Sequence, residues 1–237
     1  MTLAAAAAML IVGVTISYLI ASTSKDNVFS LGDVKLTLTE DSFPSSIDDR
    51  IMPPKGIVKK DPCVINTGSS EQYVFLKVTV PLVKVQIVNE NDNKINESGK
   101  AYREIFNIIS SDPEALSDTS GEDFNVTDRG SFSYDPKWRF LKSYEDLTDC
   151  THTYIFGYSE LLPPENNNIT KPLFDKIQLR NILEYEITET DIESVRVNAF
   201  GIQAKELLNN VRISDTSDAS ADELTAVYAL YEKQEGE

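Results

Sequence analysis

The chain is poor in the side chains that most catalytic and metal sites use. It has one histidine, His152, and two cysteines, Cys63 and Cys150. It contains no His-Glu-x-x-His motif, no Gly-x-Ser-x-Gly elbow and no glycine-rich phosphate loop. A catalytic zinc normally takes three protein ligands, and a serine or cysteine triad needs a histidine of its own. We therefore predict that the protein is not an enzyme and holds no metal or cofactor.

Basic residues are also scarce. The chain has 22 Lys and Arg against 38 Asp and Glu, which gives a formal net charge of −16. Binding to nucleic acid needs a basic patch that neutralises phosphates, and no such patch is present in the sequence. The acidic excess is typical of a well-solvated secreted protein. It argues against a nucleic-acid partner and against docking on an anionic membrane.

Charged residues are absent before Lys25, and residues 3–21 form an apolar run. The run is near the lower limit of what spans a bilayer, about 20 residues. Its many alanines and its polar Thr15 and Ser17 favour a cleaved signal peptide over a permanent anchor. The Lys/Arg-rich stretch that usually begins such a signal is missing. We expect the membrane to be contacted only through this leader before its removal.

The predicted cleavage site lies at the end of that run. Thr15-Ile16-Ser17 has the small-x-small form that signal peptidase reads, and cleavage there leaves Tyr18 as the new N-terminus. Leu19-Ile20-Ala21 is a poorer second choice. Residues 1–17 are thus predicted to form a signal helix, and the product is predicted to be secreted.

The two cysteines have two readings in an exported protein. Cys63 and Cys150 could form one disulfide across a long loop, which would contribute about 4 to 5 kcal/mol by chain-entropy reasoning. They could equally remain two free, buried thiols. The sequence leaves both alternatives open.

Most of the remaining chain has the pattern of β-strands separated by turns. Residues 34–39 alternate apolar and polar side chains strictly, as a strand with one buried face does. A strand-like segment, 27–31, precedes them. Further strands are predicted at 63–66, 73–80 (closed by Pro81), 82–88, 138–141, 151–158, 173–179 and 195–204. The pattern predicts one all-β domain over residues 32–218, with an irregular insertion at about 110–135 that is rich in turn residues.

The last segment, residues 219–237, changes to a helical period. Ser220 and Glu223 have the spacing of a capping box. The apolar side chains of the following turns fall on one helical face: Leu224, Val227, Tyr228 and Tyr231. We predict a short amphipathic helix that packs on the β-domain, with an acidic tail.

Two further groups of residues bear on function. Strand alternation places Cys150, His152 and Tyr154 on one face. Cys150 and His152 could then be two ligands of a metal ion, but a solvent-facing or hydrogen-bonded histidine is favoured. Phe132, Tyr134 and Trp138 could form the exposed aromatic cluster of an adhesin, although core packing explains Trp138 equally well.

Several segments, in this order along the chain, resemble one family. They are Ser24 to Val34; Lys60-Asp61-Pro62 with Ile65-Asn66-Thr67-Gly68 and Tyr73 to Pro81; Tyr154 to Leu162 with Pro172 to Ile177; and Ala199 to Ala204. Together with the uncharged leader, they resemble the TasA/camelysin-like proteins. These are exported matrix-fibre proteins of Gram-positive bacteria whose signals are processed by the dedicated peptidase SipW.

The resemblance implies a jelly-roll-like antiparallel β-sandwich that assembles outside the cell, in the biofilm matrix. In such fibres the N-terminal stretch of one subunit completes the sheet of the next. Residues 18–31 are then the donor segment, with Tyr18, Leu19, Ile20, Val28 and Phe29 as its assembly residues. The partners implied are other copies of the chain or related matrix subunits, with signal peptidase acting during export.

Three alternatives stay open at this level. Camelysin relatives are often described as cell-surface metallopeptidases, so this chain could be one. It could also be a surface adhesin that does not polymerise. Finally, residues 18–29 could pair within their own subunit or stay disordered. The insertion and the acidic C-terminal helix depart from the family pattern.

Overall fold

The computed structural model describes residues 34–46, 52–89, 93–94, 101–120, 129–182, 195–204 and 218–235. This part of the chain is mostly β, with antiparallel sheets and one short C-terminal helix, as the sequence predicted. The predicted leader, the cleavage site at Thr15 to Tyr18 and the donor segment 18–31 lie outside the described residues. Among the residues described, no helix has the length and apolar character needed to cross a membrane.

Ten strands and one helix make up the described structure. In chain order they are β1 (Leu36–Thr39), β2 (Ile57–Lys59), β3 (Cys63–Asn66), β4 (Gln72–Val85), β5 (Ala101–Glu104), β6 (Phe106–Ile109), β7 (Trp138–Asp146), β8 (Thr151–Tyr158), β9 (Lys176–Leu179), β10 (Arg196–Gln203) and α1 (Ala221–Glu235). The largest sheet, here called the main sheet, has the order β10-β4-β8-β7. The strand β5 pairs with the last four residues of β4.

The longest strand, β4, organises the main sheet. It spans 14 residues and pairs with β10, β8 and β5. Pro81 was predicted to close this strand, and that prediction is wrong, because β4 continues to Val85. Pro81 lies where the partners of β4 change. Pairing with β10 stops at Thr79, pairing with β8 stops at Pro81, and pairing with β5 starts at Leu82. A residue without an N–H is tolerated where a ladder is interrupted in this way.

Two smaller sheets, β1-β3 and β2-β9-β6, contribute to the same core as the main sheet. Because side chains alternate across a strand, Leu76 and Val78 of β4 and Phe156 of β8 point to one face of the main sheet. They share a single hydrophobic cluster with Ile108 of β6 and Ile177 of β9. The opposite face of the main sheet is the one on which α1 packs.

The capping box predicted for α1 is confirmed. Ser220 N–H donates to Glu223 Oε2 at 2.8 Å, and Glu223 N–H donates to Ser220 Oγ at 3.2 Å. Leu224, Val227 and Tyr228 are buried in a second, smaller cluster on the main sheet. The stripe at helical spacing is therefore core, as expected.

The described parts of the predicted insertion contribute to the core. Ile108 bridges Phe132 in parallel, and Leu116 bridges Tyr134, so this irregular chain lies along β6. Phe132, Tyr134 and Trp138 are 5%, 4% and 0% exposed. These aromatic side chains are therefore packed in the core. They do not form the exposed cluster that an adhesin would need.

Candidate functional site

A buried polar cluster lies where β5 meets β8. Glu104 Oε1 accepts from the hydroxyl of Tyr154 at 2.5 Å and lies 2.5 Å from Nδ1 of His152. Its second oxygen, Oε2, accepts from the backbone N–H of Gly130 at 2.9 Å. Glu104, His152 and Tyr154 are 2%, 0% and 0% exposed. This carboxylate is thus engaged on both oxygens inside the core.

The strand register brings these residues together. His152 and Tyr154 are two residues apart on β8, so they share the face that points into the core. Glu104 is the last residue of β5 and pairs with Leu82 of β4. Two residues earlier on β4, Val80 pairs with His152. The imidazole and phenol rings are 4.2 Å apart between centroids.

Burial and the carboxylate act together on Tyr154. Removal from water raises the pKa of its hydroxyl above the usual value, and the neighbouring charge and hydrogen bond of Glu104 raise this pKa further. Arg129 opposes the rise, because its positive charge and its hydrogen bond favour the ionised phenol. Arg129 is itself held by a hydrogen bond from Nη1 to the carbonyl of Thr119 at 2.8 Å. Tyr154 is thus held as a neutral donor to Glu104.

The carboxylate of Glu104 is the centre of the cluster. The imidazole of His152 meets this carboxylate, which already accepts two other hydrogen bonds, and the residues described include no group of three side chains that could hold a metal ion. Cys150 does not continue the face of His152 as predicted, because it lies in the turn before β8 with a φ of 51°. Its thiol donates to the carbonyl of Leu147 at 3.6 Å. What the cluster does is tie the chain at Gly130 to β5 and β8.

A small polar cavity of about 300 Å³ adjoins this cluster. Three of its lining residues also contact the cluster: Arg129 and Phe132 lie against Tyr154, and Gly130 donates to Glu104. The full lining is Ser117, Asp118, Thr119, Ser120, Arg129, Gly130, Ser131 and Phe132. Asp118 accepts from Ser120 N–H and Oγ–H, which lowers the pKa of its carboxyl. The polar groups of the cavity are thus largely engaged with each other.

Both cysteines are free thiols in the structure. Cys63 lies on β3 opposite Thr39 of β1, whereas Cys150 lies in the turn after β7. The thiols are free, as in the second of the two alternatives left open by the sequence, but both cysteines are partly buried rather than buried. Burial, followed by the charges of Asp61 and Asp41, raises the pKa of Cys63 from 9.0 to about 11.

Cys63→Ala is expected to reduce the loss of stability at alkaline pH. The unfolded thiol loses its proton near pH 9.0, while the folded one keeps it to about pH 11. The free energy of unfolding therefore falls as pH rises through that window, and the alanine variant lacks this contribution. Melting temperatures from pH 8 to pH 11, followed by circular dichroism, measure the slope. Equal slopes for the variant and the unmodified protein would contradict the expectation.

The two edges of the main sheet differ in character. β7 has a bulge between Phe140 and Lys142 and pairs only with β8 among the described strands. Four of its nine residues are charged: Arg139, Lys142, Glu145 and Asp146. At the other edge, β10 pairs only with β4 in the described part and has Arg196 as its one charged residue. Bulges and charges protect an edge from further pairing, so β10 is the less protected of the two.

Sequence reasoning missed Glu104 and Gly130. It left His152 as either solvent-facing or hydrogen-bonded, and the structure has it buried and hydrogen-bonded. Its partner lies 48 residues earlier in the chain, and no spacing rule connects the two. The only local signal was a pair of charged residues, Arg103-Glu104, between Tyr102 and Ile105. Comparison of the chain with protein-family models, with curated proteins and with solved structures finds no match.

Proposed function

We propose that this chain is a secreted structural protein of an extracellular matrix, of the TasA/camelysin-like kind. Its β-domain is then a jelly-roll-like sandwich, made of the main sheet and the two smaller sheets. In this proposal the segment 18–31 of one copy adds to a sheet edge of the next, and a fibre results. The observation that carries the proposal is the edge of β10, which pairs only with β4 among the described strands and has one charged residue.

An edge of this kind suits strand addition for physical reasons. An extended segment gains main-chain hydrogen bonds along the edge, and its alternate side chains continue the two faces of the sheet. Beside β10 those faces are apolar: Ala199 borders the main core, while Phe200 stacks on Tyr231 of α1 at 4.6 Å. The donor segment offers matching residues, Val28 and Phe29, in a strand-like pattern.

The other two functions have less support. A camelysin-type metallopeptidase would have to use His152, whose Nδ1 faces Glu104 in a fully buried position. A binding module of the adhesin type relied on Phe132, Tyr134 and Trp138, which are core residues. The proposed role as a matrix protein depends neither on His152 nor on these aromatic residues.

The test compares two N-termini. Protein beginning at Tyr18 is expected to form fibres, visible by electron microscopy, and protein beginning at Gly32 is expected to remain monomeric by size-exclusion chromatography. The physical reason is that only the longer form carries residues that can add to the edge. Identical monomers from both forms would contradict the proposal.

A matched pair of variants tests the edge itself. Asn198→Lys puts a charge on β10 at an exposed position, and Tyr144→Lys puts the same charge on β7. The first is expected to abolish most fibre formation and the second to leave it unchanged, because a lysine on an edge strand blocks pairing there. Equal loss in both variants would show that net charge, not the edge of β10, governs assembly.

A further inference from the structure

One backbone carbonyl near the start of the described chain accepts an unusual number of hydrogen bonds. The carbonyl oxygen of Lys35 accepts from the N–H of Thr67 at 3.0 Å, from the N–H of Gly68 at 3.1 Å and from Nε2 of Gln72 at 3.3 Å. Lys35 directly precedes β1. The three donors are here called the Lys35 clamp.

The clamp is held from behind by buried amide groups. Gln72 and Asn66 are 0% and 1% exposed, and Gln72 Nε2 donates to Asn66 Oδ1 at 2.6 Å. Asn66 Oδ1 also accepts from the N–H of Gly68 at 2.9 Å. Its Nδ2 donates to the carbonyls of Ser70 and Leu162, both at 2.8 Å. Because the side chain of Asn66 is bonded on all sides, the corner 67–70 has a fixed geometry.

This arrangement explains the motif Asn66-Thr67-Gly68, for which the strand pattern gave no role. Asn66 is both the last residue of β3, opposite Leu36, and the residue that shapes the turn after it. The turn directs two consecutive N–H groups at one oxygen. The strand β4 then begins with Gln72, which supplies the third donor.

We propose that the Lys35 clamp fixes the point from which the N-terminal segment leaves the β-domain, and that Asn66 and Gln72 are the positioning residues of that exit. The inference rests on the proposed function, since a fixed exit matters most for a segment that must reach a second copy of the chain. Holding one end of a segment in place reduces the conformational freedom lost when the segment binds. Assembly therefore depends on two residues that the donor need not touch.

Trypsin tests the clamp directly, because it attacks the carbonyl of lysine and would have to release the Lys35 oxygen. Gln72→Leu removes one clamp donor, and Asn66→Ala removes the amide oxygen that holds Gly68 and Gln72 in position. Thr79→Val is the matched control, since Thr79 is a buried polar residue of β4 that bonds Thr153 and lies outside the clamp. Digestions are run well below each variant's own melting temperature. Mass spectrometry follows the fragment that begins at Leu36.

Cleavage after Lys35 is expected to be about tenfold faster in both clamp variants than in the unmodified protein and in Thr79→Val, as local opening becomes easier. The same two variants, beginning at Tyr18, are expected to form fibres at least about fivefold more slowly. Equal cleavage rates in all four proteins would contradict the claim that these residues hold the chain at Lys35. Faster cleavage with unchanged fibre growth would contradict the role of the clamp in assembly. If the unmodified protein forms no fibres, the proposed function fails, and the trypsin comparison still decides the clamp.

Discussion

Glu104→Ala is expected to lower the free energy of unfolding by about 3 to 5 kcal/mol, the range for breaking a buried, hydrogen-bonded charged group. The substitution leaves the Tyr154 hydroxyl and the Gly130 N–H without their acceptor inside the core. It also leaves Nδ1 of His152 without its carboxylate. Urea titration followed by fluorescence of Trp138, the single tryptophan, measures the change.

Two further variants separate charge from hydrogen bonding. Glu114→Ala removes the same charge from an exposed position and is expected to change stability by no more than about 0.5 kcal/mol. Glu104→Gln keeps the shape, and in a double-mutant cycle with Tyr154→Phe it is expected to show a coupling of about 1 to 3 kcal/mol. Additive effects in that cycle would mean that the contact between Glu104 and Tyr154 contributes nothing of its own.

Gly130→Ala is expected to destabilise the protein by about 3 kcal/mol, at the upper end of the range for overpacking. A Cβ at this position would lie 1.9 Å from the carbonyl oxygen of Phe106, a backbone atom that cannot rotate away. The chain would have to withdraw from β6 and would lose the bond from Gly130 to Glu104. Thermal unfolding by calorimetry measures the effect.

The neighbouring position provides the control. Ser131→Ala changes an exposed side chain and keeps the backbone in place, so it is expected to be within about 0.5 kcal/mol of the unmodified protein. Combining Gly130→Ala with Glu104→Ala is expected to give less than the sum of the two effects, because both break the same hydrogen bond. A melting temperature unchanged by Gly130→Ala would contradict the close approach of this segment to β6.

The sequence predicted the elements that are long and strongly patterned. Residues 138–141 and 151–158 were predicted as paired strands and form parts of β7 and β8, and the capping box of α1 is present. The short strands β2, β5 and β6 were missed, because three or four residues carry too little periodicity to be recognised. The prediction at Pro81 was wrong because a proline normally ends a strand. Here the strand continues through the proline, because the pairing partner of β4 changes from β8 to β5 at this position.

The candidate sites were harder to predict for a different reason. Glu104 and His152 meet only through the register of β5, β4 and β8, which no local pattern encodes. The Lys35 clamp likewise joins residues that are more than thirty positions apart. In both cases no local motif marks the residues, because their partners are determined by pairing between strands that are distant in the chain. Strand propensity alone predicts no such contacts.

The position of β4 affects the order in which the domain can form. All three of its partners, β5, β8 and β10, come later in the chain. A polypeptide that emerges from the ribosome N-terminus first therefore leaves the edge of β4 that pairs with β10 without its partner until residue 203 is made. Such non-local pairing folds slowly. Until then β4 is open to pairing with a wrong strand.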